Sequence, residues 1–117
     1  MSDIKILQKA VIDFRQKRDW EQFHNPKDVS ISLVLEATEL LEHFQWKNEE
    51  EVLRHVELHK EEVADEVADI FYWILLLSHD LKINLQDALS KKMAKNAQKY
   101  PAETAKGNHK KYTELAQ

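Results

Sequence analysis

The sequence contains no cysteine, one glycine and two prolines among its 117 residues. Without cysteine, the chain has no disulfide, no thiolate metal site and no cysteine nucleophile. Glycine and proline form most tight turns, so their scarcity argues against a sandwich, a barrel or a doubly wound sheet. The composition predicts an almost entirely helical protein whose length suits a single domain over residues 1–117.

Long apolar runs and a signal-peptide pattern are also missing. The longest apolar run, Ile70 to Leu77, has eight residues, which is too few to span a bilayer. The first residues, MSDIKILQ, lack the layout of a signal peptide. A net charge of −4 argues against general binding to nucleic acid. We expect a cytoplasmic protein with neither a membrane nor a nucleic-acid partner.

Charge is unevenly distributed along the chain. Between Glu36 and Asp69 there are 12 acids and three bases, whereas between Lys91 and Lys111 there are seven lysines and one acid. An acidic middle and a basic end together suit the binding of a metal ion and an anion.

Hydrophobic spacing and capping signals predict four helices. Ser2 or Asp3 begins the first helix, Asn25 caps the second, and Asn84 caps the last, which Pro101 ends. The expected spans are about 3–17, 25–45, 49–79 and 84–100, the third either continuous or interrupted near residue 59. Four helices with short links form an all-α, four-helix bundle-like fold, followed by an exposed, partly ordered tail over about 101–117.

The run IFYWILLL, from Ile70 to Leu77, is apolar on every side of its helix. A helix with this pattern is buried all round. In a bundle this small, the pattern favours a second subunit that covers the outer side, and so a homo-oligomer. The alternative is a central core helix in a monomer.

Two helices each carry a pair of acids on an otherwise apolar side. At about 100° per residue, Glu36 and Glu39 lie about 60° apart on the second helix. Glu66 and Asp69 repeat this three-residue step within the apolar stripe of the third helix. If the two helices are neighbours, four carboxylates converge, and they require a cation because neither stripe supplies a lysine or arginine.

Hard carboxylate oxygens select Mg²⁺, Mn²⁺ or Ca²⁺. A single Glu-x-x-Glu pair is usually a solvated helix face, but two pairs set into apolar stripes are rarer. A di-iron bundle needs Glu-x-x-His on two helices, and the one such triplet here runs from Glu21 to His24 in a loop. A magnesium site, with Mn²⁺ as the alternative ion, is the interpretation that these residues favour.

EATE (36–39), followed by 26 residues and EVAD (66–69), is similar to the metal motif of the MazG-like, all-α nucleoside triphosphate pyrophosphohydrolases. The segments RDWEQFH, LLEHFQWK, SKKMAKNAQKYP and KYTEL resemble the dCTP pyrophosphatase branch of that family. The similarity runs from about Phe14 to Leu115. Leu35 stands where many members have another acid, and the dCTP pyrophosphatase branch also lacks that acid, which supports the narrower resemblance.

The resemblance implies a magnesium-dependent enzyme that assembles as a dimer or tetramer. Members cleave a (deoxy)nucleoside triphosphate between the α and β phosphorus atoms, which gives the monophosphate and pyrophosphate. The substrate implied here is dCTP or a modified dCTP. The implied metal-binding and catalytic residues are Glu36, Glu39, Glu66 and Asp69.

The resemblance also implies a substrate-binding set in which aromatic residues contact the base and a polar face of the last helix binds phosphate. Lys92, Asn96 and Tyr100 recur every four residues, which by spacing alone also fits a solvated helix end. Trp73 also fits plain core packing. The implied set is Trp20, Gln22, His24, Trp46, Trp73, Lys92, Asn96 and Tyr100.

Other residues near these motifs have less defined roles. Three acids, Glu39, Asp65 and Glu62, are alternative acceptors for the proton of an attacking water. The histidines at 55, 59 and 79 lack acid partners at ligand spacing and are interpreted as ordinary helix residues. The tail segment KYTEL, with Tyr112, is expected to fold back over a neighbouring subunit.

Two alternatives to a dCTP pyrophosphatase stay open at this point. One is a broader NTP or dUTP pyrophosphatase of the same fold, because Val11 replaces a histidine that vertebrate dCTP pyrophosphatases use to hold the nucleotide. The other is a helical oligomerisation module that binds nucleotide without turnover. Four intact carboxylates argue against the module, since binding alone does not need them all.

Overall fold

The computed structural model describes residues 2–111 and residue 113, and in that part of the chain it contains helices and no strand. The all-α prediction is therefore confirmed. The α-helices are α1 (Asp3–Lys17), α2 (Pro26–Glu42), α3 (Glu49–Leu58), α4 (Lys60–Asp80), α5 (Leu85–Lys99) and α6 (Ala102–Ala105), with a 3₁₀ turn at Glu21–Phe23. None of the described helices is long and apolar enough to cross a membrane.

The four predicted helices start where the sequence predicts, and a side-chain cap lies at each of these starts. The side-chain oxygen of Asn25 accepts a hydrogen bond from the backbone N–H of Asp28 at 2.9 Å, and Pro26 occupies the first position of α2. Asn48 and Glu51 form a reciprocal capping box at the start of α3. Such caps satisfy N–H groups that have no partner inside the helix, which fixes where each helix starts.

One helix end differs from the prediction, and the structure decides between two alternatives for the third helix. Helix α2 ends at Glu42 rather than about residue 45, because the chain turns through Trp46, whose φ is +66°. The third helix, expected to be either continuous or interrupted near residue 59, is interrupted. It consists of α3 and α4, separated at His59, which leaves the helical region with φ −126° and ψ 35°. No glycine or proline marks either site, so the sequence placed the end of α2 too late and left the break near residue 59 open.

The chain divides into two compact units, Met1–Lys82 and Ile83–Gln117. In the first unit, α4 is the central helix and packs against α1, α2 and α3. Its core contains Val29 of α2 with Leu75 and Leu76 of α4, each at most 2% exposed. The all-round apolar run of α4 is thus partly in the core of its own unit.

The second unit contains α5 and the short helix α6. Asn84 caps α5 through the N–H of Asp87, and Tyr100 is its C-terminal cap, just before Pro101. The predicted tail is helical over Ala102–Ala105. The prediction for Tyr112 lies outside the described residues.

Polar side chains also fill the interior of the first unit. Arg15, only 1% exposed, donates two hydrogen bonds of 2.8 Å to Asp80. Gln8 of α1 donates to the backbone carbonyl of Leu75 at 3.0 Å and to the Ser78 hydroxyl at 3.1 Å. These bonds fix the register of α1 against α4, since a shift of either helix would leave buried polar groups unpaired.

Candidate active site

The packing of α2 against α4 brings the two predicted acid pairs together. One carboxylate oxygen from each of Glu36, Glu39 and Glu66 lies within 4.8 Å of the other two. The three-residue steps in the sequence place each pair on one helix face, and the contact between the helices brings the faces together. The fourth acid, Asp69, stands outside this group of three.

Burial makes this acid cluster electrostatically costly. The Oε2 atoms of Glu36 and Glu66 are buried and have no hydrogen-bond partner. Burial, with Glu39 and Asp69 close by, raises the pKa of Glu36 to about 7. The pKa of Glu66 is also raised, first by burial and then by the neighbouring Glu39. Each nearby carboxylate makes the next one harder to ionise. Carboxylates whose pKa values are raised in this way are often found at functional sites.

Beside the cluster is a cavity of about 400 Å³, a size typical of small-ligand sites. Glu36 and Asp69 form its polar edge, and aromatic and apolar side chains form the rest. Its lining residues are Ala10, Val11, Phe14, Trp20, Glu36, Asp69, Tyr72 and Trp73. A ligand in this cavity is therefore within reach of both Glu36 of the acid cluster and several aromatic rings.

The aromatic wall is held by edge-to-face contacts. Phe14 meets Trp20 at 5.9 Å and Tyr72 at 6.1 Å between ring centroids, and Tyr72 meets Trp73 at 5.0 Å. The guanidinium of Arg18 covers the Phe14 ring at 3.6 Å. Such contacts fix the planes of the rings and so hold the shape of the aromatic wall.

A buried ion pair connects to this wall. The Arg15 guanidinium that pairs with Asp80 also lies 3.5 Å from Nδ1 of His24. The His24 ring meets Trp73 edge to face at 5.3 Å. Burial and the nearby Arg15 charge lower the pKa of His24, which favours the neutral imidazole. His24 thus supports Trp73, which lines the cavity.

The predicted substrate residues are distributed over several parts of the chain. Trp20 and Trp73 line the cavity, and His24 touches Trp73. Gln22 donates hydrogen bonds to Asp19, and Trp46 lies in the turn after α2 with 91% of its surface exposed. The remaining three, Lys92, Asn96 and Tyr100, lie on α5 or at its end, in the second unit.

Sequence reasoning missed three lining residues, Ala10, Phe14 and Tyr72. The signal for Tyr72 was available, because it follows Asp69 by three residues and therefore shares its side of α4. Phe14 lies at helical spacing from the apolar residues Leu7 and Val11 of α1, and nothing in that spacing separates a core position from a cavity wall. Val11, noted for its departure from the family pattern, lines the same cavity.

The donor set fits a hard divalent cation. Mg²⁺ and Mn²⁺ prefer carboxylate oxygens, and two buried oxygens of this cluster lack any other partner. A cation here would remove the repulsion that raises the pKa values of Glu36 and Glu66. Glu36, Glu39 and Glu66 are positioned to hold it, with Asp69 at the cavity edge.

Without divalent metal, thermal stability should fall as pH rises from about 4.5 to 7. The pKa of Glu36 is about 7 in the fold and 4.5 as its ordinary value, so the folded chain binds this proton more tightly. The resulting stabilisation is complete below the unfolded pKa and is lost as pH rises through the folded one. We expect a drop in Tm of about 5 °C, measured by circular dichroism in chelator.

The Glu36→Gln chain is the control for this pH effect. It should lose most of the drop in Tm, and Mg²⁺ should restore the Tm of the wild type at pH 7.5. Identical pH profiles for the two chains would contradict the burial of Glu36 as its cause.

Comparison with known proteins agrees with the fold and with the family resemblance. The MazG-like family model matches residues 31–115. The chain is 37% identical over 111 residues to dCTP pyrophosphatase 1 of Mus musculus and of Homo sapiens, which covers 93% of this chain and 65% of each relative. It thus spans just under two thirds of the length of these relatives.

A solved structure gives the same result. A pyrophosphatase from Archaeoglobus fulgidus matches with a TM-score of 0.82 and 36% identity, over 86% of this chain and 94% of that one. At 36% identity the two proteins are similar in sequence as well as in fold. The resemblance inferred from EATE and EVAD is confirmed, and the chain belongs to the MazG-like family.

Proposed function

We propose that this chain is a nucleoside triphosphate pyrophosphohydrolase that uses Mg²⁺, or Mn²⁺, and acts on dCTP or a modified dCTP. The observation that carries this proposal is the group of three carboxylates within 4.8 Å, two of them with buried, unpartnered oxygens, beside an aromatic cavity. The names of the dCTP pyrophosphatases and of the archaeal pyrophosphatase support the same reaction.

In the proposed reaction, one water opens the bridge between the α and β phosphorus atoms and leaves the monophosphate and pyrophosphate. Glu36, Glu39, Glu66 and Asp69 are the residues that would hold the metal. When bound there, Mg²⁺ supplies charge neutralisation for the phosphates and lowers the pKa of a bound water.

Glu39 is the residue to which we assign the proton of the attacking water. It is the exposed member of the group of three, so solvent reaches it. Glu62, one of the alternatives, instead contacts the imidazole of His59 at 3.7 Å. A carboxylate within reach of the water accelerates the step by taking its proton as the new bond forms.

The aromatic wall is proposed to bind the base and sugar. Trp20 lines the cavity, and Phe14 and Tyr72 hold that wall in place through edge-to-face contacts. Stacking on such a ring is worth about 1–3 kcal/mol per base. For the triphosphate we assign Lys92, Asn96 and Tyr100 on the basic face at the end of α5.

Val11 favours a second candidate, a broader NTP or dUTP pyrophosphatase. Its isopropyl group lines the cavity and has no hydrogen-bond donor or acceptor with which to read a base edge. Selection among bases by hydrogen bonds is strong, whereas selection by an apolar wall is weak. A preference that extends beyond cytosine would follow from this residue.

A homo-oligomer, a dimer or tetramer, belongs to the same proposal. Apolar side chains along α2 are half or more exposed, at 50% for Ile31, 62% for Val34, 59% for Leu35 and 63% for Leu41. A continuous exposed apolar face of this kind marks an interaction surface. Light scattering with size-exclusion chromatography measures the assembly directly.

The test of the activity is pyrophosphate release from every NTP and dNTP, and from 5-methyl-dCTP. We expect release with Mg²⁺, none in chelator, and the monophosphate as the second product by chromatography. Preference for cytosine deoxynucleotides supports the first candidate, and comparable rates across bases support the second. Binding of MgNTP without release would leave only the nucleotide-binding module.

A further inference from the structure

Histidines that the sequence suggested were ordinary form a connected group next to the acid cluster. Nδ1 of His43, the C-terminal cap of α2, lies 2.8 Å from Nε2 of His55 on α3. The His55 ring stacks on the ring of His59 at 4.7 Å, and His59 lies 3.7 Å from Glu62. His59 therefore has an acid partner that its interpretation as an ordinary helix residue did not include, and His55 contacts two other histidines.

This histidine group reaches a member of the acid cluster through His43. Nε2 of His43 is 3.9 Å from Oε1 of Glu66, and the two side chains are only 18% and 21% exposed. The other oxygen of Glu66, Oε2, is buried without a partner. The two oxygens of this carboxylate therefore have different surroundings, one facing an imidazole and one available to a cation.

The short contact between His43 and His55 restricts where the proton of His43 is. At 2.8 Å the two nitrogens share one hydrogen bond, so one of them donates and the other accepts. If His43 donated through Nδ1, the lone pair of its Nε2 would face the Glu66 carboxylate and repel it. If His55 donates, His43 carries its proton on Nε2, directed at Glu66, and both contacts are favourable.

We propose that His43, oriented by His55, is a positioning residue that directs its Nε2–H at Oε1 of Glu66 and so presents Oε2 to the metal. Partners of this kind hold a ligand in its working rotamer, and their loss typically costs about 10–100-fold in metal affinity. The stacking of His59 on His55 keeps that second ring in place. This inference rests on the proposed metal site of the enzyme.

Metal affinity of the full chain, without nucleotide, is the first measurement. Free Mn²⁺ is followed by electron paramagnetic resonance as protein is titrated in. His43→Leu removes the donor and should weaken Mn²⁺ binding about 10-fold or more. His43→Gln keeps an amide N–H near the position of Nε2 and should stay within about threefold of wild type.

His79→Gln is the matched control, because His79 is an exposed histidine on α4 away from this group. It should bind Mn²⁺ as the wild type does.

Glu66→Gln separates the two proposals. If Glu66→Gln binds Mn²⁺ as tightly as wild type, the metal site itself is wrong. If Glu66→Gln loses affinity while His43→Leu does not, only the positioning role is overturned.

The tautomer of His43 gives a readout independent of metal. Long-range ¹H–¹⁵N spectra of the metal-free chain report which ring nitrogen carries the proton. We expect the Nε2–H form of His43, and a shift of its signals in His55→Leu. A His43 protonated on Nδ1 would overturn the proposal even if the variants lost affinity.

Discussion

Replacing Glu66 with glutamine should lower kcat/KM for nucleotide hydrolysis by about 10²–10³-fold without unfolding the chain. The carboxamide keeps the size of the side chain but removes the charge that would hold the metal. Because Oε2 of Glu66 is buried without a partner, its ionised form is costly in the metal-free fold. The variant should therefore be as stable as the wild type or more so in chelator.

Initial rates and thermal unfolding in chelator, measured on the same preparations, check both parts of this result. Glu61→Gln is the control, since Glu61 is an exposed acid in the first turn of the same helix. The control should keep nearly full activity. Wild-type turnover by the Glu66→Gln chain would show that the metal site has been misplaced.

Replacing Arg15 with methionine should lower the free energy of unfolding by about 3 kcal/mol. Arg15 is 1% exposed and makes two 2.8 Å hydrogen bonds to Asp80, whose side chain is 24% exposed. Methionine keeps the apolar stem but leaves the carboxylate without its charge partner. Partial hydration of Asp80 places the cost at the lower end of the range for broken buried pairs.

Urea denaturation at one fixed protein concentration measures this loss, and Lys17→Met, an exposed base at the end of α1, is its control. The double variant Arg15→Met/Asp80→Leu should recover much of the stability, because no buried charge is then left alone. Strictly additive single-variant effects would contradict direct coupling between the two side chains.

Lower pH should reduce the difference in free energy of unfolding between the Arg15→Met chain and the wild type. The hydrogen bonds from Arg15 hold the pKa of Asp80 below its ordinary value of 3.8. This stabilisation is present above the unfolded pKa and is lost as pH falls through the lower, folded value.

KM should also rise in Arg15→Met, since Arg15 contacts His24, which supports Trp73.

Helix positions followed closely from local sequence signals. Asn25-Pro26, Asn48 and Asn84 each cap a helix where the sequence predicted its start. A cap is a contact over three residues, so the sequence contains both partners. The early end of α2 was not predicted, and the break at His59 was left open, because neither is marked by glycine or proline and both depend on packing.

The sequence determined the two acid pairs but not how they come together in the cluster. The three-residue step places Glu36 with Glu39, and Glu66 with Asp69, on single helix faces by geometry alone. The sequence did not show that Glu39 would join Glu36 and Glu66 while Asp69 lines the cavity. That asymmetry depends on how α2 and α4 are rotated about their axes, which the whole core decides.

By itself, the sequence determined the helical class, the caps, the two acid pairs and the membership of a family, because each is encoded by residues close together in the chain or by a recognisable pattern. Tertiary structure alone decided the contact of Phe14 with Tyr72 in the cavity wall, the Arg15–Asp80 pair and the approach of His43 to Glu66. The partners in these contacts are 23 or more residues apart, so no local spacing links them. Only the packing of α1, α2 and α3 against α4 brings them within reach.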